Sequence, residues 1–254
     1  MKSASGIEAG HDSMPLLVQC VKGLEEITER ECSDRIPSSQ VLLKDHGMLI
    51  VKSPWPAEPF RYLRSAYRVS LHLGSVERGD DHNGDASNVI EVLEGVDLLR
   101  ASAEIHPSRG IGSFSLRIDL PEKALNLYYT LLSKTSNYVS RKHGWMADRK
   151  GKVPVLTIVV TNRRLHIGIE VFPPEVYKRA YRRQPLPFSL DPAAAYGMVS
   201  LSNPEEEDVF LDAMCGAATT LIERALYSPA RRIIGGDISP KALKAAKSNV
   251  ASAG

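Results

Sequence analysis

Apolar and polar positions fall into short blocks whose spacing changes from two to about three and a half and back. "LLVQC", Leu16 to Cys20, predicts a strand, and "VKGLEEITERECSD" then repeats at helical spacing, with Leu24, Ile27 and Cys32 on one face. "QVLLKDHGMLIVKS" reads as two strands around Asp45, His46 and Gly47, a hairpin-like signal. "PAEPFRYLRSAY" is expected to be a helix entered at Pro56 or Pro59, and "RVSLHLGSVE" alternates as a strand does. The order β, α, β, β, α, β is the split βαβ or ferredoxin-like arrangement. It fills residues 15–78, after a flexible tail at 1–14.

"RGDDHNGDASN", Arg78 to Asn88, is rich in Gly, Asp and Asn and reads as an exposed linker. A second α/β unit is expected over residues 88–173. It runs through a helix in "NVIEVLEGVDLLRAS", a strand in "SFSLRIDL" and a helix in "EKALNLYYTLLSKTSNYVSRKHG". A hairpin of Leu156–Val160 and Leu165–Val171, turning at Asn162 to Arg164, completes it. Residues 174–200 form a linker opened by Pro173 and Pro174, and "AAAYGMVSLS" suits a short helix followed by the acidic loop "NPEEED".

The last block, residues 201–254, carries the candidate chemistry. Val209 to Leu211 read as a buried parallel strand ending in Asp212. Gly216, with Ala213, Ala217 and Ala218 around it, makes a loop whose backbone can approach a ligand, and "TTLIERAL" starts a helix with free N–H groups. "RRIIGGD" is a second strand. It ends at Asp237, 21 positions after Gly216, close to the roughly 20-residue offset at which an acid meets a ribose hydroxyl in dinucleotide-binding folds. Ser239 and Pro240 open the next helix as N-cap and first position. A nicotinamide or flavin fold prefers G-x-G-x-x-G after the first strand, and this loop has one glycine. S-adenosylmethionine has no pyrophosphate to cradle, so the pattern favours the methyl donor, with a nicotinamide oxidoreductase as a further class.

A chain of 254 residues is long enough for two or more domains of roughly 100–200 residues. No run of about 18 apolar residues is available to span a bilayer. Cys20, Cys32 and Cys215 lack CxxC spacing, which argues against a disulfide framework and a zinc site and suits a reducing cytoplasm. The formal charge of +2 is unevenly placed. Residues 141–183 carry 11 basic and 3 acidic side chains, against 15 and 19 in residues 1–140 and 6 and 8 in residues 184–254. The excess points to an anionic partner, with nucleic acid the usual candidate. It comes from Arg141, Lys142, Arg149, Lys150, Lys152, Arg163, Arg164, Lys178, Arg179, Arg182 and Arg183; Tyr181 either stacks on a base or packs at a domain junction.

"LDAMCGAATTLIE" resembles the D-P-M-C-G-S-G-T-x-L-I-E motif of THUMP-domain RNA methyltransferases, which act on the N2 amine of guanine in tRNA or rRNA. "YKRAYRR" resembles that family's L-H-K-R-G-Y-R segment, and "SLDPAAAYGM" its P-L-x-x-x-x-A-A-A linker. The resemblance implies a ferredoxin-like N-terminal unit, a THUMP domain binding RNA, and the start of a Rossmann-like, S-adenosylmethionine-dependent methyltransferase domain. It implies that Asp212, Ala213, Met214, Cys215 and Gly216 form the donor loop. Thr219 then matches the family threonine, Glu223 the family glutamate, and Asp237, beside Ile238, the ribose acid. Ala213 stands where the family has proline, and Ala218 where it has glycine. Alanine replaces a glycine used for close packing, but not cheaply one that needs positive φ.

Relatives hold the target amine with an N-P-P-Y or D-P-P-F loop after the fourth strand. No such motif occurs here, so no catalytic residue is assigned. The chain is therefore expected to be the RNA-binding half plus the incomplete start of an enzyme, inactive by itself. The alternative is a noncatalytic RNA-binding module.

Overall fold

The computed structural model describes residues 13–106, 112–121, 124–148 and 154–254. Arg149, Lys150 and Lys152 lie outside the described residues. The chain forms two compact units. The first takes the described residues up to Val18, then Ser38–Glu58 and Arg68–Pro173. The second takes Gln19–Pro37, Pro59–Tyr67 and Pro174–Gly254.

The first unit is organised on an eight-stranded sheet. Its strands are β1 (Ser13–Cys20), β2 (Gln40–Asp45), β3 (Met48–Pro54), β4 (Ala66–Glu77), β5 (Ser113–Asp119), β6 (Met146–Ala147), β7 (Val155–Val160) and β8 (Arg164–Glu170). The spatial order is β2-β3-β1-β4-β8-β7-β5-β6. The first four strands keep the split βαβ arrangement, with β1 between β3 and β4. They do not close a sheet of their own, because β4 pairs antiparallel with β8. The hairpin expected from Leu156 onward is present as β7 and β8, both buried along almost their whole length. The two-residue strand β6, which pairs parallel with β5, has too few positions to leave a periodic signal.

Helices α2 (His82–Glu94), α3 (Leu98–Ile105) and α4 (Leu125–His143) belong to this unit, and Leu93, Phe114, Leu131, Ile158 and Ile167 fill its core. Gly144 ends α4 in the left-handed conformation that a C-terminal cap requires. The expected linker at Arg78 to Asn88 is corrected here, since α2 starts inside it. Asp81 caps α2 by accepting from the Gly84 N–H at 2.6 Å. Asp85 is fully buried, accepts from both Arg78 Nε and the Gly79 N–H, and pairs with Arg78 at 2.7 Å. A Cβ on Gly79 would stand 2.5 Å from the Gly84 carbonyl carbon, so the glycine content serves close backbone approach rather than exposure.

The second unit contains α1 (Glu25–Arg35), α5 (Pro192–Leu201), β9 (Val209–Asp212), α6 (Thr219–Tyr227), β10 (Arg232–Gly235) and α7 (Pro240–Ala253). In place of the helix expected in "PAEPFRYLRSAY" there is a short 3-10 turn, Glu58–Tyr62. Prolines at 56 and 59 remove two N–H donors that a longer helix would need, while Phe60 is fully buried. The next loop is held by the buried Glu31 of α1, which accepts from the backbone N–H groups of Arg64 and Ser65 and from the Ser65 hydroxyl. β9 was expected to be buried on both faces. In the described residues Phe210 packs into the core, while Val209 and Leu211 remain more than half exposed.

Candidate functional site

β9 and β10 pair in parallel with Asp212 opposite Gly235, so their carboxyl ends are neighbours. In open α/β sheets this is the side on which ligands bind. Gly235 is pressed under α6, where an added Cβ would stand 2.3 Å from a Leu221 methyl group.

The loop after β9 is locked to the loop after β10. Gly236 N–H donates to the Asp212 carbonyl at 2.9 Å, and Cys215 N–H donates to the Gly236 carbonyl at 2.8 Å. The Asp212 side chain accepts from the Met214 N–H at 3.1 Å. Asp237 bridges both loops: one oxygen accepts from the Gly216 N–H at 2.9 Å, the other from the Ser239 N–H at 2.8 Å. Each oxygen retains accepting capacity, since a carboxylate offers about four lone-pair sites.

Two residues of this loop have left-handed backbones, Gly216 at φ 54° and Ala218 at φ 67°. Around Gly216 a Cβ would meet nothing within 4 Å, so the dihedral and not space selects glycine there. At Ala218 the same conformation costs an alanine about 1–2 kcal/mol. Its methyl is fully buried in a cluster with Tyr181, Cys215, Leu221, Ile222 and Ala246. The departure from glycine at 218 is therefore of the positive-φ kind.

Of the expected donor residues, Asp212 and Asp237 are half-buried at the strand tips, and Ala213, Met214 and Ile238 stand exposed at the rim, Ile238 completely. Thr219 is buried in the first turn of α6, whose N-terminus has no side-chain cap. Burial, followed by the charges of Asp212 and Asp237, pushes the Cys215 thiol up. It is a protonated, space-filling group at neutral pH.

Three polar residues brace this frame, two of which sequence reasoning missed. Asn249 of α7 donates to the carbonyls of Ala217 and Gln184 and accepts from the Gln184 N–H. Arg224 is fully buried and donates to the carbonyls of Glu205, Ser228 and Pro229. The partners of Asn249 lie in distant segments, and Arg224 joins the nearby carbonyls of Ser228 and Pro229 to the more distant Glu205, so neither announces its burial in the sequence. The third is Glu223, with no exposed surface. It accepts from Arg64 Nη2 at 2.6 Å, Arg179 Nε at 3.0 Å and Tyr181 Oη at 2.7 Å. Burial, then the Glu223 charge and hydrogen bond, pushes the Tyr181 phenol far up.

Within the basic segment Arg179, expected to contact RNA, donates to the buried Glu223, and of the two readings of Tyr181 the structure takes the packed one, with its hydroxyl on Glu223 and its ring in the core. Lys178 and Arg183 are exposed and Arg182 half-buried in the second unit, with Lys178 in a loose surface pair with Glu175 at 3.4 Å. Arg163 and Arg164 are exposed at the turn between β7 and β8 in the first unit. Arg141 and Lys142 are exposed in the last turn of α4. They line a cleft of about 560 Å³ with Ile90, Lys134, Asn137 and Tyr138, where the Lys142 ammonium donates to the Tyr138 hydroxyl at 2.7 Å. Among the described residues no cluster of three or more His, Cys, Asp or Glu side chains could hold a metal ion. No helix among them is long and apolar enough to cross a membrane.

Residues 179–254 match the family model described as UPF0020, RMKL-like, methyltransferase domain. A bovine (Bos taurus) protein named U6 snRNA (guanine-N(2))-methyltransferase THUMPD2 is 32% identical over 114 residues, covering 45% of this chain and 22% of that protein. The matched region thus spans about a fifth of the length of that curated relative. Among solved structures, TrmN from Thermus thermophilus is similar with a TM-score of 0.66 at 21% identity, covering 94% of this chain and 70% of the other. SMU.472, described as a putative methyltransferase complexed with SAH, gives a TM-score of 0.66 at 15% identity, covering 96% and 73%. At these identities the two structures speak for the fold.

Proposed function

We propose that the protein is an S-adenosylmethionine-dependent RNA methyltransferase acting on the N2 amine of guanine. The observation that carries this reading is the pair of adjacent strand tips at Asp212 and Asp237, with a backbone-lined loop between them and α6 entering behind it. The match of residues 179–254 to a methyltransferase domain and the name of the THUMPD2 relative support it.

The residues present fit such a donor. Asp237 keeps lone pairs for the ribose hydroxyls, and Ile238 offers an exposed apolar side chain to an adenine face. The backbone of Asp212 to Gly216, turned at the left-handed Gly216, would hold the remainder. When bound, S-adenosylmethionine supplies an electrophilic methyl group on a sulfonium. The chain's own contribution is positioning. The Asp237 bridge and the Asn249 clasp fix the loop before binding, which reduces what must be ordered at that moment. Exposed cations at Arg141, Arg163, Arg164, Lys178 and Arg183 would neutralise RNA phosphates.

The decisive measurement is methylation of RNA by the full-length protein with labelled donor, followed by mapping of the modified base. N2-methylguanosine is expected. RNA binding with no methyl transfer to any RNA tested would instead identify a noncatalytic RNA-binding module.

A further inference from the structure

Within the second unit an open cleft of about 310 Å³ lies between the Glu58–Tyr62 turn and the Val176–Tyr181 segment. Arg61, Tyr62, Arg64, Lys178 and Arg179 line it, with Leu226 of α6. Four of the twelve lining residues are cationic: Arg64 and Arg179 rest on the buried Glu223, while Lys178, 71% exposed, holds only a solvent-facing pair with Glu175 at 3.4 Å, the kind worth little in water. Tyr62 is 63% exposed, so its ring is presented rather than packed. Cations interleaved with an exposed ring are the elements with which proteins grip single strands: phosphates on the charges, a base on the ring. The volume is at the small end of ligand sites, roughly one nucleotide, and the opening suits a polymer running through.

We infer that this cleft is a docking site for a single-stranded RNA segment, with backbone phosphate on Lys178 and Arg61 and one base on Tyr62. The inference rests on the RNA-substrate reading above and locates one of its contacts on the same unit as the candidate donor loop. Arg64 and Arg179 are walls of the site, held in place by the buried Glu223. Glu223 lies one helical turn after Thr219 on α6, so the helix that leaves the donor loop also supports the cleft.

The test is fluorescence anisotropy of a labelled single-stranded RNA against salt concentration, using the full-length protein. In the Arg61→Ala/Lys178→Ala double variant, affinity is expected to fall about tenfold and the log–log salt slope to become shallower by about 1.5, as for two lost phosphate contacts. In Tyr62→Ala, affinity is expected to fall at least fivefold with the slope unchanged, the signature of lost stacking. Unaltered affinity and slope in all variants, while wild type still binds RNA and donor, would overturn the cleft and leave the methyltransferase reading standing. Failure of the wild type to bind RNA would overturn both, and donor titration by calorimetry reads the donor site separately.

Discussion

The carboxylate of Asp237 accepts a 2.9 Å hydrogen bond from the backbone N–H of Gly216, joining the tip of the second strand to the loop that follows the first. One side chain thereby sets the shape of the candidate donor site and remains available to a ribose.

Asp237→Ala removes both roles. It is expected to lower stability by about 1–2 kcal/mol, as for lost charge-assisted hydrogen bonds, and to weaken donor binding at least tenfold. Calorimetric titration with S-adenosylmethionine, beside urea denaturation, separates the two effects. Unchanged donor affinity in a folded variant rejects the ribose assignment.

Glu223→Ala leaves the Arg64 and Arg179 guanidiniums, 21% and 11% exposed, facing a void where their partner was. Breaking a buried pair in this way costs about 3–5 kcal/mol. The denaturant midpoint is expected to fall accordingly. Arg179→Ala should show a stability loss of the same sign, in contrast to the purely RNA-binding defect expected of an exposed cation.

At Ala218 the sign is decided by opposed effects of similar size. Replacement by glycine relieves about 1–2 kcal/mol of left-handed strain. It also gives up about 0.8 kcal/mol of methyl burial and adds about 0.4–1 kcal/mol of unfolded-state entropy. Ala218→Gly should therefore be neutral to within about 1 kcal/mol. Ala218→Val adds β-branching to a fully buried left-handed position and is expected to cost more than about 2 kcal/mol. Thermal denaturation of the pair checks both; a large loss in the glycine variant would contradict the strain.

In the first unit, His72 Nε2 lies 2.7 Å from the Ser75 hydroxyl, which is 2.7 Å from His166 Nδ1. Burial, followed by the His166 charge, lowers the His72 pKa to about 4, against 6.5 in an unstructured chain. The unfolded state therefore binds more protons between those values, and stability falls as pH drops from about 6.5 to about 4. A loss on the order of 3 kcal/mol is expected across that window. Urea titrations at pH 7 and pH 4.5 should show it, with the dependence flattened in His72→Gln.

How much was legible follows from the range of each signal. The hairpin of β7 and β8 declares itself because its strands are continuous in sequence and its turn is local. The β9 loop declares itself because an acid, a glycine and a helix start follow within a few positions. Arg78 to Asn88 misleads because Asp85 looks solvated in sequence and is buried only through Arg78 and Gly79. The sequence left Tyr181 between stacking and packing and did not show the ion pair of Arg179, since their partner Glu223 lies more than forty positions away.

By itself the sequence determined the strand, loop, helix and strand pattern around Asp212 and Asp237, because hydrophobic period, turn residues and helix starts are properties of near neighbours. Only the tertiary structure decided which charges of the basic segment face solvent and which are bound. It also decided that Ala218 carries a left-handed backbone and that the N-terminal residues Arg61 to Ser65 belong with the C-terminal unit. Those outcomes depend on which groups folding brings together. Arg64 and Glu223, 159 positions apart, meet at 2.6 Å, a pairing that no local pattern contains.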